Sequence, residues 1–157
     1  MVLQASNPVR EFEHRHEKLS KLALEVGRLL RSIPGSGEDA RRLRTCLESL
    51  RDELVAHFAQ EEEGLFPFVR ANLPATAVQV DRLTLAHDAI CGAVVRLAHA
   101  ARASRPGEGG AVLVSLYERF ESAYGQHSRE EAALFAELNT SLAPSQRAEL
   151  VALLAGL

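Results

Sequence analysis

Apolar residues recur along this chain at alternating spacings of three and four, over four stretches of about 25 to 35 residues. The first seam reads Phe12, His16, Leu19, Ala23, Val26, Leu30, Ile33. The second reads Leu43, Leu47, Leu50, Leu54, His57, Glu61, Leu65, Phe68. The third is Val80, Leu83, His87, Ile90, Val94, Leu97, Ala101, and the fourth Leu113, Leu116, Phe120, Tyr124, His127, Glu131, Leu134, Leu138. Such spacing lays each set along one side of a helix. Val and Ile never alternate with polar residues over a usable length, so strands are not expected.

Turn residues separate the stretches: Pro34-Gly35-Ser36-Gly37, Asn72-Leu73-Pro74, the run from Arg105 to Gly110, and Asn139 to Pro144. Asn7-Pro8 offers a cap followed by proline in the first turn, while Ser36…Asp39 and Thr76…Gln79 have capping-box spacing. A short fifth helix is expected from Pro144 to Leu154. Four apolar seams joined by short loops predict an all-α fold, an antiparallel up-down-up-down four-helix bundle with a short C-terminal fifth helix. At 157 residues, one domain over 1–157 is expected.

Composition narrows the functional classes. Hydrophobic residues make up 46% and charged residues 25%, which suits a globular chain rather than a disordered one. Net charge is -3 with no basic block, so no nucleic-acid partner is expected. No apolar run approaches the ~20 residues of a membrane span, and no signal pattern opens the chain. Two cysteines, Cys46 and Cys91, are too few for a disulfide framework. A soluble cytoplasmic protein is the expectation.

The seams hold residues that an apolar core should not. Each helix places one histidine on its inward line, and two helices add a glutamate one turn later. With about two seam positions in seven, four of six histidines falling there has a chance of order one in twenty. An unpaired buried glutamate costs several kcal/mol, so these groups need a partner. Depth supplies one. His16 and His87 lie about 8 and 11 residues after the start of their helices; His57, Glu61, His127 and Glu131 lie about 10 to 15 before the end of theirs. In an antiparallel bundle, at 1.5 Å per residue, all six fall in one layer roughly 12 to 22 Å from the same end.

Residues four apart share a helix face, so His57 with Glu61, and His127 with Glu131, can each clasp one site. Four imidazoles and two carboxylates exceed what a tetrahedral zinc needs, and no thiolate accompanies them. A mixed N/O set of six suits a pair of iron or manganese ions, with positions left for water or a small ligand. The alternative is a set of buried His–Glu hydrogen bonds without metal.

These residues resemble the hemerythrin-like, or HHE cation-binding, domain family over nearly the whole chain. The resemblance rests on Glu13 to Leu19 around His16, on His57 to Pro67 with its HxxxE clasp and Leu65-Phe66-Pro67, on Leu85-Ala86-His87-Asp88, and on His127 to Phe135 with the second clasp. It implies a non-haem di-iron centre bridged by Glu61, Glu131 and an oxo or hydroxo group, with His16, His57, His87 and His127 as terminal ligands. Manganese or a mixed pair fits the same donors. Oxygen-carrying hemerythrins have a fifth histidine on the third helix and an aspartate on the fourth. Here the positions four from His87 are Cys91 and Leu83, and the fourth helix carries Glu131. The resemblance is therefore to the four-His/two-Glu bacterial type, which implies sensing, stress response or iron handling with an open site for oxygen, nitric oxide or peroxide.

Other polar residues have plainer readings. His14 lies about 160° from His16 on the wheel and faces solvent, unless the first-helix register slips and exchanges the two. His99 reads as surface. Cys46 and Cys91 read as small buried hydrophobes, with contact to the metal pocket the alternative for Cys91. Glu62, Glu63 and Glu130 form a solvated rim, with Glu62 or Glu130 able to support a ligand. Tyr124 either reaches a bound small ligand or merely packs; Phe58, Phe66, Phe120 and Leu83 then wall the site. Outer-face Val95 and Val112 are too scattered to define an interface, which leaves oligomeric state open. Two functions follow: reversible binding of oxygen, nitric oxide or iron, or, alternatively, a di-iron enzyme turning over peroxide or another small oxidant. No separate catalytic residue is assigned. The lack of any reductase or flavin motif favours binding.

Overall fold

The computed structural model describes residues 8–32, 37–105 and 108–156, with side chains described from His14 onward. Helix α1 (Pro8–Arg31) precedes α2 (Gly37–Gln60), which passes through one π-turn (Glu61–Leu65) into α3 (Phe66–Asn72). A 3-10 turn (Pro74–Thr76) leads to α4 (Ala77–Ala103), then α5 (Gly110–Ser141) and α6 (Pro144–Ala155). Among the described residues there is no strand, as the absence of alternation predicted. The expected caps at Asn7 and Ser36, the Phe12 side chain and Ile33 lie outside the described residues.

Helix α1 packs against α2 and α5, and α4 packs against α2 and α5, the neighbour ring of an up-down-up-down bundle. The short α6 lies against α1 and the π-turn, covering one end. Termini follow electrostatics: Glu38 and Asp39 stand in the first turn of α2, and Arg28 and Arg31 in the last turn of α1, each opposing the helix dipole. Across the α1–α2 interface, Glu25 pairs with Arg42 at 2.7 Å. No helix among the described residues is long and apolar enough to cross a membrane.

Two local expectations need correction. Thr76 does not cap α4 through a capping box. The 3-10 turn sets it at φ -90°, ψ 3°, and its hydroxyl donates to the Leu73 carbonyl at 2.7 Å instead. Gln79, its expected partner, donates to the Glu130 carbonyl at 3.3 Å and so ties α4 to α5. On α5 the seam passes through Tyr117 rather than Leu116: Tyr117 is buried, and Leu116 only half-buried. The Tyr117 hydroxyl donates to the Ala23 carbonyl at 2.9 Å, across the bundle. Gly27 makes room for it, because a Cβ there would stand 2.6 Å from the Tyr117 oxygen. Glycine is also required at Gly109, where φ is 76° just before α5.

The apolar core divides in two. One cluster runs from Leu19 to Leu30 on α1, Leu43 to Phe58 on α2, Ile90 to Ala101 on α4 and Leu113 to Tyr124 on α5. The other gathers Leu65, Phe66, Phe68 and Val69 with Val80, Leu83, Leu134, Leu138, Leu142 and Leu150. Where the two clusters meet stand His57 at the end of α2, Glu61 in the π-turn, His87 on α4, and His127 and Glu131 on α5.

Candidate metal centre

Each helix of the ring delivers its polar group at the same level. Among the described residues, two sets of donor atoms, each with all members within 4.8 Å of one another, stand out: His16, His57, Glu61 and Glu131; and Glu61, His87 and His127. All six predicted residues therefore converge, and Glu61 belongs to both sets. Its Oε1 lies 2.8 Å from His57 Nε2, and its Oε2 lies 2.9 Å from His87 Nε2. Glu131 Oε2 lies 2.9 Å from His16 Nε2 and 3.7 Å from His127 Nε2. His16 and His57 bring their Nε2 atoms to 2.9 Å.

Burial is nearly complete on three helices: the side chains of His57, Glu61, His87, His127 and Glu131 are 3% exposed or less, whereas His16 is 26% exposed. His14 points out at 77% exposed, beside Glu17, so the first-helix register is the one with His16 inward. His99 is exposed. Cys91 packs against the apolar core, and neither donor set includes it.

Electrostatics in the layer is that of charges removed from water. Burial, with His16 nearby, lowers the His57 pKa to about 3, and burial lowers His127 to about 4. His87 is lowered by burial too, against the opposing pull of its hydrogen bond to Glu62. Burial and the neighbouring Glu131 raise Glu61 well above the carboxylate range. Glu131 feels the same burial, the largest single influence, but hydrogen bonds to His16 and Glu61 together with the charges of His16 and His127 outweigh it and hold the carboxyl below its ordinary value.

Protons alone leave the layer unsatisfied. Both Glu61 oxygens, Glu131 Oε1, His87 Nε2 and both nitrogens of His127 are buried without a hydrogen bond of good geometry. Each Glu61 oxygen meets an imidazole nitrogen at under 3 Å without the angles of a hydrogen bond, an arrangement that a cation between them resolves. The donors therefore fit metal ions.

Aromatic rings line the second set. Phe58 stacks on His87 with centroids 3.8 Å apart and meets His127 edge-on at 5.2 Å, while Phe66 lies 5.5 Å from His87. Phe120 stacks on Tyr124 at 5.7 Å. The Tyr124 hydroxyl is buried, and burial raises its pKa to about 12. A pocket of about 350 Å³ between α4 and α5, walled by Ala86, Ala89 and Ala123, reaches His127.

The rim contributes a role that spacing only hinted at. Glu62, half in solvent, places Oε1 2.7 Å from His87 Nδ1. The wheel leaves Glu62 one position outside the seam, and it stands in the π-turn, for which the seam spacing carries no signal.

Fold and donor layer together define a helical-bundle protein that binds cations. The chain belongs to the hemerythrin family: the model of the hemerythrin HHE cation binding domain matches residues 7–151. No curated protein and no solved structure matches it.

Proposed function

We propose that the layer holds two cations, an iron pair, and that the protein binds a small ligand such as oxygen, nitric oxide or peroxide there. Support comes above all from Glu61, whose two oxygens face histidines of different donor sets, His57 and His87. Glu131 approaches histidines of both sets through one oxygen, Oε2, which lies 2.9 Å from His16 and 3.7 Å from His127. Two carboxylates offset the charge of two cations, and His16, His57, His87 and His127 complete the donors. A bound iron pair supplies affinity for small oxidants and the capacity to exchange electrons with them.

The chain's own residues prepare that chemistry. Phe58 and Phe66 exclude water beside His87, which strengthens every electrostatic interaction within. The first set offers four donor residues and the second three. With Cys91 and Leu83 flanking His87 in place of another imidazole, the second set leaves more room for an external ligand. That same opening favours a second reading, turnover of peroxide. Ligand binding is the conclusion and turnover of peroxide the alternative.

An anaerobic titration with ferrous ion, followed by oxygen, nitric oxide and peroxide in separate samples, tests this. Saturation at about two ions per chain and a stoichiometric spectral change with one of these ligands are expected. Saturation at one ion or none overturns the two-cation reading. Sustained oxygen evolution from peroxide, lost in Glu61→Ala, replaces binding with turnover.

A further inference from the structure

Two consecutive glutamates reach the two nitrogens of one imidazole. Glu61 Oε2 lies 2.9 Å from His87 Nε2, and Glu62 Oε1 lies 2.7 Å from His87 Nδ1. In an α-helix of 3.6 residues per turn, neighbouring side chains diverge too widely to serve the same small group. Here they sit in the π-turn, where the Phe66 N–H donates to the Glu61 carbonyl five residues back. That wider turn has more residues per revolution and brings adjacent side chains closer in direction.

The His87 ring is held by a stacked phenylalanine and by a hydrogen bond at Nδ1. Phe58 stacked at 3.8 Å, with an interplanar angle of 8°, fixes the plane of the ring, and Glu62 fixes its rotation within that plane. His127, the other imidazole of this donor set, has neither ring nitrogen hydrogen-bonded. The ring that carries a carboxylate partner is thus one chosen member of the set.

We propose that Glu62 is a positioning residue for the cation held by Glu61, His87 and His127: it accepts a hydrogen bond from His87 Nδ1–H, which leaves Nε2 unprotonated and aimed at the cation. The π-turn is then the device that lets one helix supply both a ligand, Glu61, and the support of a ligand on another helix. This inference rests on the two-cation reading above. Carboxylate partners of this kind orient ligating histidines and raise their basicity, and their loss weakens metal binding by about 10- to 100-fold.

Two readouts test it. Nitrogen-15 NMR of the metal-free protein reads the His87 tautomer directly: Nδ1–H is expected in the wild type, with the Nε2–H form gaining population in Glu62→Ala. Competition with a chelator on the iron-loaded protein reads affinity. One of the two binding steps weakens about 10- to 100-fold in Glu62→Ala. Glu62→Gln, which keeps an acceptor oxygen, recovers most of that loss, and Glu63→Ala matches the wild type. An Nε2–H tautomer at His87 in the wild type overturns the proposal, as do two wild-type binding steps in Glu62→Ala. If the wild type holds fewer than two cations while His87 keeps the Nδ1–H form, the Glu62–His87 pairing stands and the two-cation reading falls.

Discussion

Two parts of the same seams are buried equally and behave oppositely. Leu47, Leu50, Leu54, Val94 and Leu97 are fully buried, and every atom of those side chains is content among carbon. Further along the same seam, Glu61 is equally buried, and neither of its oxygens finds a hydrogen bond of good geometry. Burial stabilises the first region by about 1.5–3 kcal/mol per large side chain. In the second, burial costs free energy that a bound cation would offset. The difference separates a bundle's two tasks along its axis: the apolar half holds the helices in register, and that register delivers donors from four helices to one level.

Substitution in the apolar half is the strongest way to test that division. Leu50→Ala leaves a cavity where exposure is zero and is expected to cost about 2–5 kcal/mol, read as a lower urea midpoint. Its metal content per folded chain should stay at the wild-type value. Depletion of metal in this variant means that the two regions are not separable.

In the polar layer the sign reverses. Glu61→Leu removes a buried carboxyl group whose oxygens find no hydrogen bond of good geometry in the metal-free protein, and is expected to stabilise that form by about 1–3 kcal/mol while abolishing metal uptake. Chelator treatment is expected to lower the wild-type melting temperature and leave that of Glu61→Leu unchanged. A metal-free Glu61→Leu protein less stable than metal-free wild type would contradict the electrostatic account.

Acid sharpens the contrast further. His57 and His127 stay neutral when folded, with pKa values of about 3 and about 4, but take up protons near 6.5 when unfolded. Stability from these depressed histidines is therefore present above 6.5 and lost as the pH falls toward 4. Glu61, raised in the fold, opposes one of them. His87, lowered in the same direction, adds to the loss, so the metal-free wild type is expected to lose at least about 1.4 kcal/mol per pH unit between pH 6.5 and 4.5, measured by urea melts. A flat profile there would show that the layer is hydrated.

The smallest effect belongs to the two outer histidines. His14→Ala and His99→Ala should leave metal content and melting temperature unchanged, since both residues are exposed. Metal loss in His14→Ala would mean that the first-helix register is the other one.

Most of the bundle and its polar layer is legible in the amino-acid sequence, and the reason is geometric. Spacings of three and four name a helix face whatever the residue type, so the lines carrying His16, His57, His87 and His127 are as readable as those carrying leucines. The antiparallel order then puts the six groups at one level. What the spacing does not carry depends on contacts between helices or on backbone detail. Leu113–Leu116–Phe120 and Leu113–Tyr117–Phe120 both fit it; the Ala23 carbonyl and the gap at Gly27 select Tyr117. Thr76 has the residue type of a cap, but the 3-10 turn before α4 gives it near-helical dihedrals. The π-turn changes neither the inward line at Glu61 nor that at Leu65, so its one clear consequence, the reach of Glu62 to His87, is visible only in three dimensions.

The central claim is that the polar layer exists to hold a pair of metal ions. Elemental mass spectrometry on the chain purified without a polyhistidine tag, before and after iron reconstitution, tests it most directly. About two iron atoms per chain are expected, falling to near zero in Glu61→Leu. A wild-type value near zero after reconstitution would contradict the account and leave a bundle with an unexplained ring of buried histidines and glutamates.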